Sequence, residues 1–398
     1  MKKYCFLWSF ITTSALLCHT ACQTDRMIEQ IPIKIEHPVA GTPLRSILDF
    51  KGLTVLQTND MEGIDRVRGM DKILFNGDRI VVLDNATDFE SIWIFDAQSG
   101  RRTGSIPYKN ANSGLQDIAL LPNGHICCLA ADKRAFIEYD LQGNIQSKLD
   151  NGVIGDLLVC QPDRQYLVYN EYSATEVSGY YQLLFFDHAG NLVDRLYPYN
   201  KEIDNNGYGM TGFLSASGGQ TWFSPPFCDT VYEIVQRRLI PRYVFDYGAA
   251  AVPEQLRRQK LSGWDVDGNA YLCERFIKTG PFVLFKYYAD NRMNTSLFDE
   301  RTKAYFRFRD AGQDFLYELL WSGDIFPKDD NTFAFLLTPA RIAYMLKQNL
   351  LDLDRIKQYA PTLYAALTAN QGANPNPILL YFSFRPGASI TEVSRAKG

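Results

Sequence analysis

The residues of this chain that could do chemistry are carboxylates, arginines and tryptophans spread along its whole length, with no catalytic motif among them. Arg66 and Arg68, Gln116 and Asp117, Asp156, Thr211, Trp264 and Asp265, and Trp321 and Asp324 are the candidates. Brought together, acidic groups from separate segments plus an arginine pair could bind a cation, or a sugar or peptide carrying its own charge. A ring such as Trp264 could stack on a ring face. Tyr166, Tyr169, Tyr172, Tyr180, Tyr181, Tyr197 and Tyr199 crowd one stretch, and EYSATEVSGYY (171–181) sits in its middle. Tyrosine offers a rigid face and a hydroxyl at low entropic cost, which suits Tyr172 and Tyr180 to carbohydrate or protein recognition. Tyr166 and Tyr169 suit strand positions and read as packing. Past residue 22 only His37, His125 and His188 remain, none at a two-histidine metal spacing. A histidine-rich metal centre is not expected, whereas an oxygen-only Ca²⁺ site needs no imidazole. GxSxG elbows and lysine-bearing phosphate-binding loops do not occur in the sequence, and no strand–glycine loop–helix unit of the dinucleotide-binding kind is read in it.

The elements that must position these residues show as a recurring unit, a turn of Gly, Asn or Asp followed by an apolar strand. It appears in FNGDRIVVL (75–83), LPNGHICCL (121–129), QPDRQYLVY (161–169), SASGGQTWF (215–223), VDGNAYLC (266–273) and KDDNTFAFL (328–336). Each unit reads as a tight β-hairpin, because Gly and Asn tolerate positive φ and Asp and Asn side chains cap turns. From Asn76 through Asn123, Asp163, Gly218, Asp267 and Asp329 the steps are 47, 40, 55, 49 and 62 residues. Four-stranded propeller blades need a period of about 40–60 residues. The spacing therefore predicts an all-β, six-bladed β-propeller of four-stranded blades. Asp96, Asp140 and Asp187 fall at equivalent turns in IWIFDAQSG, IEYDLQGN and LFFDHAGN, and are read as structural.

Two stretches stand outside the six units. GLTVLQT (52–58) has no blade of its own and is expected to complete the last blade beside ILLYFSF (378–384), removing two exposed edges. Residues 339–369 carry Ile342, Met345, Leu346, Leu350, Leu353 and Ile356 at helical spacing, and Pro361 starts a further short helix. This predicts a helical insertion in the last blade, packed by one apolar stripe. In a propeller the loops leading into the innermost strands converge on one channel mouth, so the scattered candidates of the first paragraph become neighbours there. The 171–181 loop is expected on the same face. A polar, wet mouth without a ligand is the alternative.

Compartment is read from the N-terminus. Lys2 and Lys3 precede a short apolar run, and Ala21-Cys22 follows it. That layout resembles a bacterial lipoprotein signal with Cys22 as the lipidated residue, although His19 stands where Leu is usual; Cys18 after bulky Leu17 is the rival, and ordinary secretory cleavage the alternative. No second apolar run reaches transmembrane length. A net charge of −4 with no basic block gives no electrostatic footprint for nucleic acid. Of the later cysteines, adjacent Cys127 and Cys128 must point to opposite faces of a strand. Buried free thiols are expected, with a single disulfide open.

RIVVLD (79–84) followed by IWIFDAQSG, CDTVYEI (228–234) followed by RYVFDYG (242–248), and NPNPILLYFSF (374–384) carry a family resemblance. The mature chain resembles the six-bladed, NHL-like β-propeller lipoproteins of the bacterial envelope, largely of unknown function. One departure is NANSGLQDIAL (110–120), where that family commonly has a Gly-Pro-Gly-Glu-Tyr-like loop. The resemblance implies a signal over 1–22, a flexible tether over 23–45, a propeller over 46–390 and a tail over 391–398. It also implies an outer-membrane lipoprotein, with surface or periplasmic exposure open. The functional expectation is a non-catalytic module binding a saccharide, peptide or envelope protein through the mouth. The alternatives are a propeller hydrolase or lyase with a carboxylate-held metal, and a scaffold subunit of an outer-membrane complex.

Overall fold

A computed structural model describes residues 30–35, 38–39, 43–58, 67, 69–85, 91–108, 114–202, 213–217, 219–257, 266, 268–311, 314–320, 323–370 and 375–390, the side chains of 273–275 excepted. Six sheets follow one another round a ring: the first five each hold a four-stranded antiparallel meander, and blade six joins three late strands to one from the N-terminal side. Blade one comprises Lys72–Asn76, Arg79–Asp84, Ser91–Asp96 and Arg102–Pro107, and blades two to five repeat the pattern over 115–150, 157–198, 213–246 and 271–307. In blade five the VDGN turn expected to form the hairpin instead leads into the innermost strand Tyr271–Thr279, and the hairpin lies at Thr279–Phe282, where Gly280 takes a positive φ of 54°. The innermost strands of successive blades touch in a closed ring that includes the sixth against the first.

Burial follows position in the blade. Second strands such as Ile126–Ala130 and Tyr166–Tyr169 are buried along their whole length, because each face meets a neighbouring blade. Outer strands such as Ile145–Asp150 are largely exposed. This explains why ICCLA and YLVY read as continuous apolar runs while the outer strands read as polar. Cys127 and Cys128 divide as the pleat requires, Cys127 packing towards blade three and Cys128 towards blade one.

Closure is as the sequence predicts. Leu48–Val55 pairs antiparallel with Ile378–Phe384 in the register Leu53↔Leu380 and Val55↔Ile378, so blade six joins both ends of the chain. Asn376 of the NPNP segment fastens the joint: its side-chain oxygen accepts from Thr58 N (2.9 Å), and its own N–H donates to Asn370 Oδ1 (2.7 Å). The turn of blade one lies against the closing strand. A Cβ on Gly100 (φ +67°) would come within 1.9 Å of Val55 O, so only glycine fits there.

The tether expected over 23–45 is in part a structural element. Ile31–Lys34 adds a fifth strand to blade four, running parallel to its outer strand with Ile33 opposite Phe245. The chain then crosses blade five, where Val39 N donates to Tyr305 O (2.8 Å), and enters the helix Leu44–Ile47 before the closing strand. Ile33, Leu44 and Ile47 are fully buried, so their burial holds the segment down. Cys22, the signal expected over 1–22 and the tail expected over 391–398 lie outside the described residues.

The insertion in blade six holds three helices, Pro339–Lys347, Leu353–Tyr359 and Pro361–Ala369, where the periodicity suggested two. Asn349 takes a positive φ of 52°, and Asp352 caps a new start by accepting from Arg355 N. Leu350 is consequently exposed, while Ile342, Met345, Ile356, Leu363 and Leu367 enter the largest core cluster. Among the described residues no helix is long and apolar enough to cross a membrane.

Candidate functional site

The six innermost strands enclose a cavity of about 820 Å³. Its wall is mostly apolar, with Leu74, Leu120, Val159, Leu214, Ile325 and Phe326 contributing from successive blades and from blade six. Polar groups gather at the end where the chain enters those strands. There Gln116, Asp117 and Asp324 line the cavity together with Asp71 and Lys72. A polar mouth over an apolar shaft is thus the arrangement, where the sequence suggested only the mouth.

Two of the expected acidic residues already have lysine partners. Buried Asp117 accepts from Lys72 Nζ at 2.7 Å and from Leu158 N at 2.7 Å, and Lys72 also donates to Leu158 O. One ion pair therefore ties blades one, two and three at the mouth. Asp324 accepts from Lys286 Nζ at 3.2 Å, joining blades five and six. Neither lysine was among the candidates. Lys286 was findable, since one cation inside the otherwise apolar FVLFKYYA strand demands a buried partner. Lys72 opens its strand and carried no such signal.

Asp156 stands apart from these pairs. It is largely buried beside blade three and does not line the cavity. Burial, with the nearby Glu171 and Asp117 charges, pushes its carboxyl up to about 7. Arg66, Arg68, Thr211, Trp264, Asp265 and Trp321 lie outside the described residues. Among the described residues no three His, Cys, Asp or Glu side chains converge to hold a metal ion.

The long loop of blade three joins its second strand, Tyr166–Tyr169, to its third, Tyr181–Phe186, and the meander puts it on the mouth face. Thr175 and Ser178 exchange backbone and side-chain hydrogen bonds, and Arg195 Nη2 donates to Val177 O at 2.8 Å, so the loop has a fixed shape. Tyr172 and Tyr180 both meet Tyr199 edge-on, with centroids 5.2 and 5.8 Å away. Tyr180 remains 46% exposed and is the ring most available to a partner. Tyr166 stacks on Phe136 of blade two as packing.

The remaining groups are structural. Asp96, Asp140 and Asp187 each accept backbone N–H groups of their own turns, Asp140 from Gln142 N and Asn144 N at 2.9 and 2.8 Å. Asp84, which ends the RIVVLD signature, accepts from Trp93 Nε1 and from Gly69 N, fixing the segment that leads into blade one. In the departing segment 110–120, Gly114 persists for a steric reason. A Cβ there would lie 2.5 Å from the Asp132 carboxylate, which Tyr108 also bonds. Cys127 and Cys128 are free thiols whose pKa values burial raises, so neither is a ready nucleophile.

A solved structure shares this architecture. A protein of Bacteroides fragilis NCTC 9343 described as exported superimposes with a TM-score of 0.70 at 15% identity, covering 90% of this chain and 100% of that one. A DUF4221-family member from Bacteroides vulgatus ATCC 8482 matches at a TM-score of 0.47 and 10% identity, covering 85% and 98%. Virginiamycin B lyase of Staphylococcus aureus matches at 0.41 and 11% identity, covering 66% and 75%. At 15% identity the likeness to the B. fragilis protein is one of fold. No curated protein matches the chain. The model of the domain of unknown function DUF4934 matches residues 56–383, from just after the closing strand to the last strand of blade six, and the chain belongs to that family.

Proposed function

We propose that this protein is an exported, non-catalytic binding propeller, held to the envelope through Cys22, whose central cavity takes a ligand with an apolar body. The cavity of about 820 Å³ carries this reading: it has the volume of a small-molecule site, a mostly apolar wall and a few polar groups at one end. The export signal at the N-terminus and the B. fragilis relative described as exported support the compartment. The lysine–carboxylate pairs at the mouth offer charge of both signs for orienting a polar end of the ligand. Fixed tyrosines at Tyr172 and Tyr180 overhang the same face and would contact a larger ligand, a saccharide or a peptide among them.

Ala216 is an exposed small side chain on the cavity wall, so Ala216→Trp should fill part of the shaft. The dye 1-anilinonaphthalene-8-sulfonate serves as probe, being an apolar ring system with one charge. Saturable binding to the folded wild type, lost at least tenfold in Ala216→Trp with the melting temperature kept, is expected. Equal binding by both proteins would place the dye elsewhere and remove the cavity as the site.

A further inference from the structure

Blade three holds buried acceptor oxygens for which the described residues supply no donor. Asn170, directly after the second strand, lies opposite Gln182 on the third and continues its register, with Asn170 N donating to Gln182 O at 2.7 Å. Directly opposed residues share a face, and this pair continues the face of Val168 and Leu184, which looks towards blade two. Asn170 is 0% and Gln182 2% exposed. Asn170 Oδ1 and Gln182 Oε1 have no hydrogen-bond partner, nor has the buried Asp156 Oδ2. The orientation of Asn170 is not in question, because its Nδ2 donates to Ser173 O (2.9 Å) and Tyr181 O (3.4 Å). Its oxygen is therefore the orphan. Asp156 is adjacent, its N–H donating to Tyr169 O one residue before Asn170.

Buried oxygens without donors are rare in folded proteins and call for an electropositive occupant. A charge count narrows the occupant. Glu171 and Asp117 are the acidic neighbours that act on Asp156, and Lys72 neutralises Asp117. Two carboxylates, Asp156 and Glu171, are then left without a basic partner in that group. Hard divalent cations favour mixed carboxylate and amide-carbonyl oxygens, and Ca²⁺ accepts irregular sets completed by water, whereas Mg²⁺ demands a stricter octahedron.

We propose a Ca²⁺ site in blade three, with Asp156, the Asn170 side-chain oxygen and the Gln182 side-chain oxygen as protein ligands and water completing the shell. Glu171 supplies the second negative charge nearby. The site is separate from the central cavity. It would brace the start of the innermost strand and the base of the 171–181 loop, so that the tyrosines above it keep their arrangement.

The test uses the purified folded protein after chelator treatment, with CaCl₂ alone as the probe and melting temperature and calorimetric titration as readouts. Saturable binding of one Ca²⁺ with a dissociation constant on the order of 10⁻⁴–10⁻³ M, as in extracellular modules, is expected, together with a rise in melting temperature. Gln182→Met removes one oxygen at similar volume, and Asp156→Asn removes the charge; each should weaken Ca²⁺ binding at least tenfold. Should a variant fail to fold, the wild-type titration still decides. A wild type with no Ca²⁺ uptake, or variants that bind as tightly as wild type, would overturn the site and leave ordered water as its occupant. Dye binding in the central cavity is read independently, so either idea can fall alone.

Discussion

At the residue scale, the groups that read correctly from sequence are those whose partners are local. Asp140 sits two and four residues from the N–H groups it accepts, so a turn pattern was enough to assign it. Its hydrogen bonds from the Asn144 side chain and backbone hold its carboxyl below the usual carboxylate range. A folded-state value below the unfolded one means that stability is present above the unfolded pKa near 4 and is lost as pH falls through the folded value. The melting difference between wild type and Asp140→Ala should therefore be largest above pH 5 and shrink towards pH 2. A difference that does not change with pH would assign the turn to geometry alone. Lys72 and Asp117 are the opposite case. They lie 45 residues apart and meet only because blades one and two are neighbours. Lys72→Met leaves a buried carboxylate without its cation and should destabilise by about 2–3 kcal/mol, somewhat below a fully buried pair because Lys72 is partly exposed. Adding Asp117→Asn, which can still accept from Leu158 N, should recover much of that loss in denaturant unfolding. If the double variant is the less stable of the two, the charge pair is not what Lys72 contributes.

Elements were legible wherever one periodicity ran long enough. Five of the six hairpins, the closing strand and the helices after Thr338 and at Pro361 were placed by local signals, and Thr338 does cap its helix by accepting from Arg341 N; in blade five the VDGN turn drew the reading away from the true hairpin at Thr279–Phe282. The N-terminal strand was missed for a physical reason. IPIK is too short to show alternation, and its partner Tyr243–Asp246 lies some two hundred residues away in the chain. Burial of Ile33 and Ile35 on the outer edge of blade four contributes about 3 kcal/mol or more. A chain beginning at residue 43 should keep its ring but melt lower, with the outer edge of blade four open to pairing with other molecules. Removing 23–58 as a whole takes away the closing strand as well, and should lower melting much further and drive aggregation, measured by scattering during a thermal ramp. A monomeric truncation with unchanged melting would mean that neither strand closes anything.

At the scale of the whole molecule, the two faces of the ring differ in what they can do. One face carries the tight hairpins between first and second strands; five of them are turns read from the sequence, whose Gly, Asn and Asp residues are used up by turn geometry, and the one in blade five is Thr279–Phe282. The other carries the segments leading into the innermost strands, the polar end of the cavity and the fixed loop with Tyr172 and Tyr180. Groups from distant parts of the sequence, Asp117 and Asp324 among them, meet only there, which is why the face could be anticipated but its apolar shaft could not. Walls such as Leu74, Val159 and Phe326 look in sequence like any core residue, and only ring closure turns them towards a cavity. Arg66, Trp264 and Asp265 belong by sequence to the segments leading into blades one and five. If the mouth face is the binding face, Arg66→Ala, Trp264→Ala and Asp265→Asn together should weaken dye binding several-fold at an unchanged melting temperature. A matched control on the hairpin face, Asn123→Ser with Asp163→Ser, should leave dye affinity as it is. Reversal of that pattern would move the functional surface to the hairpin side, whereas a mouth variant that melts lower and loses binding only in proportion would make these residues structural.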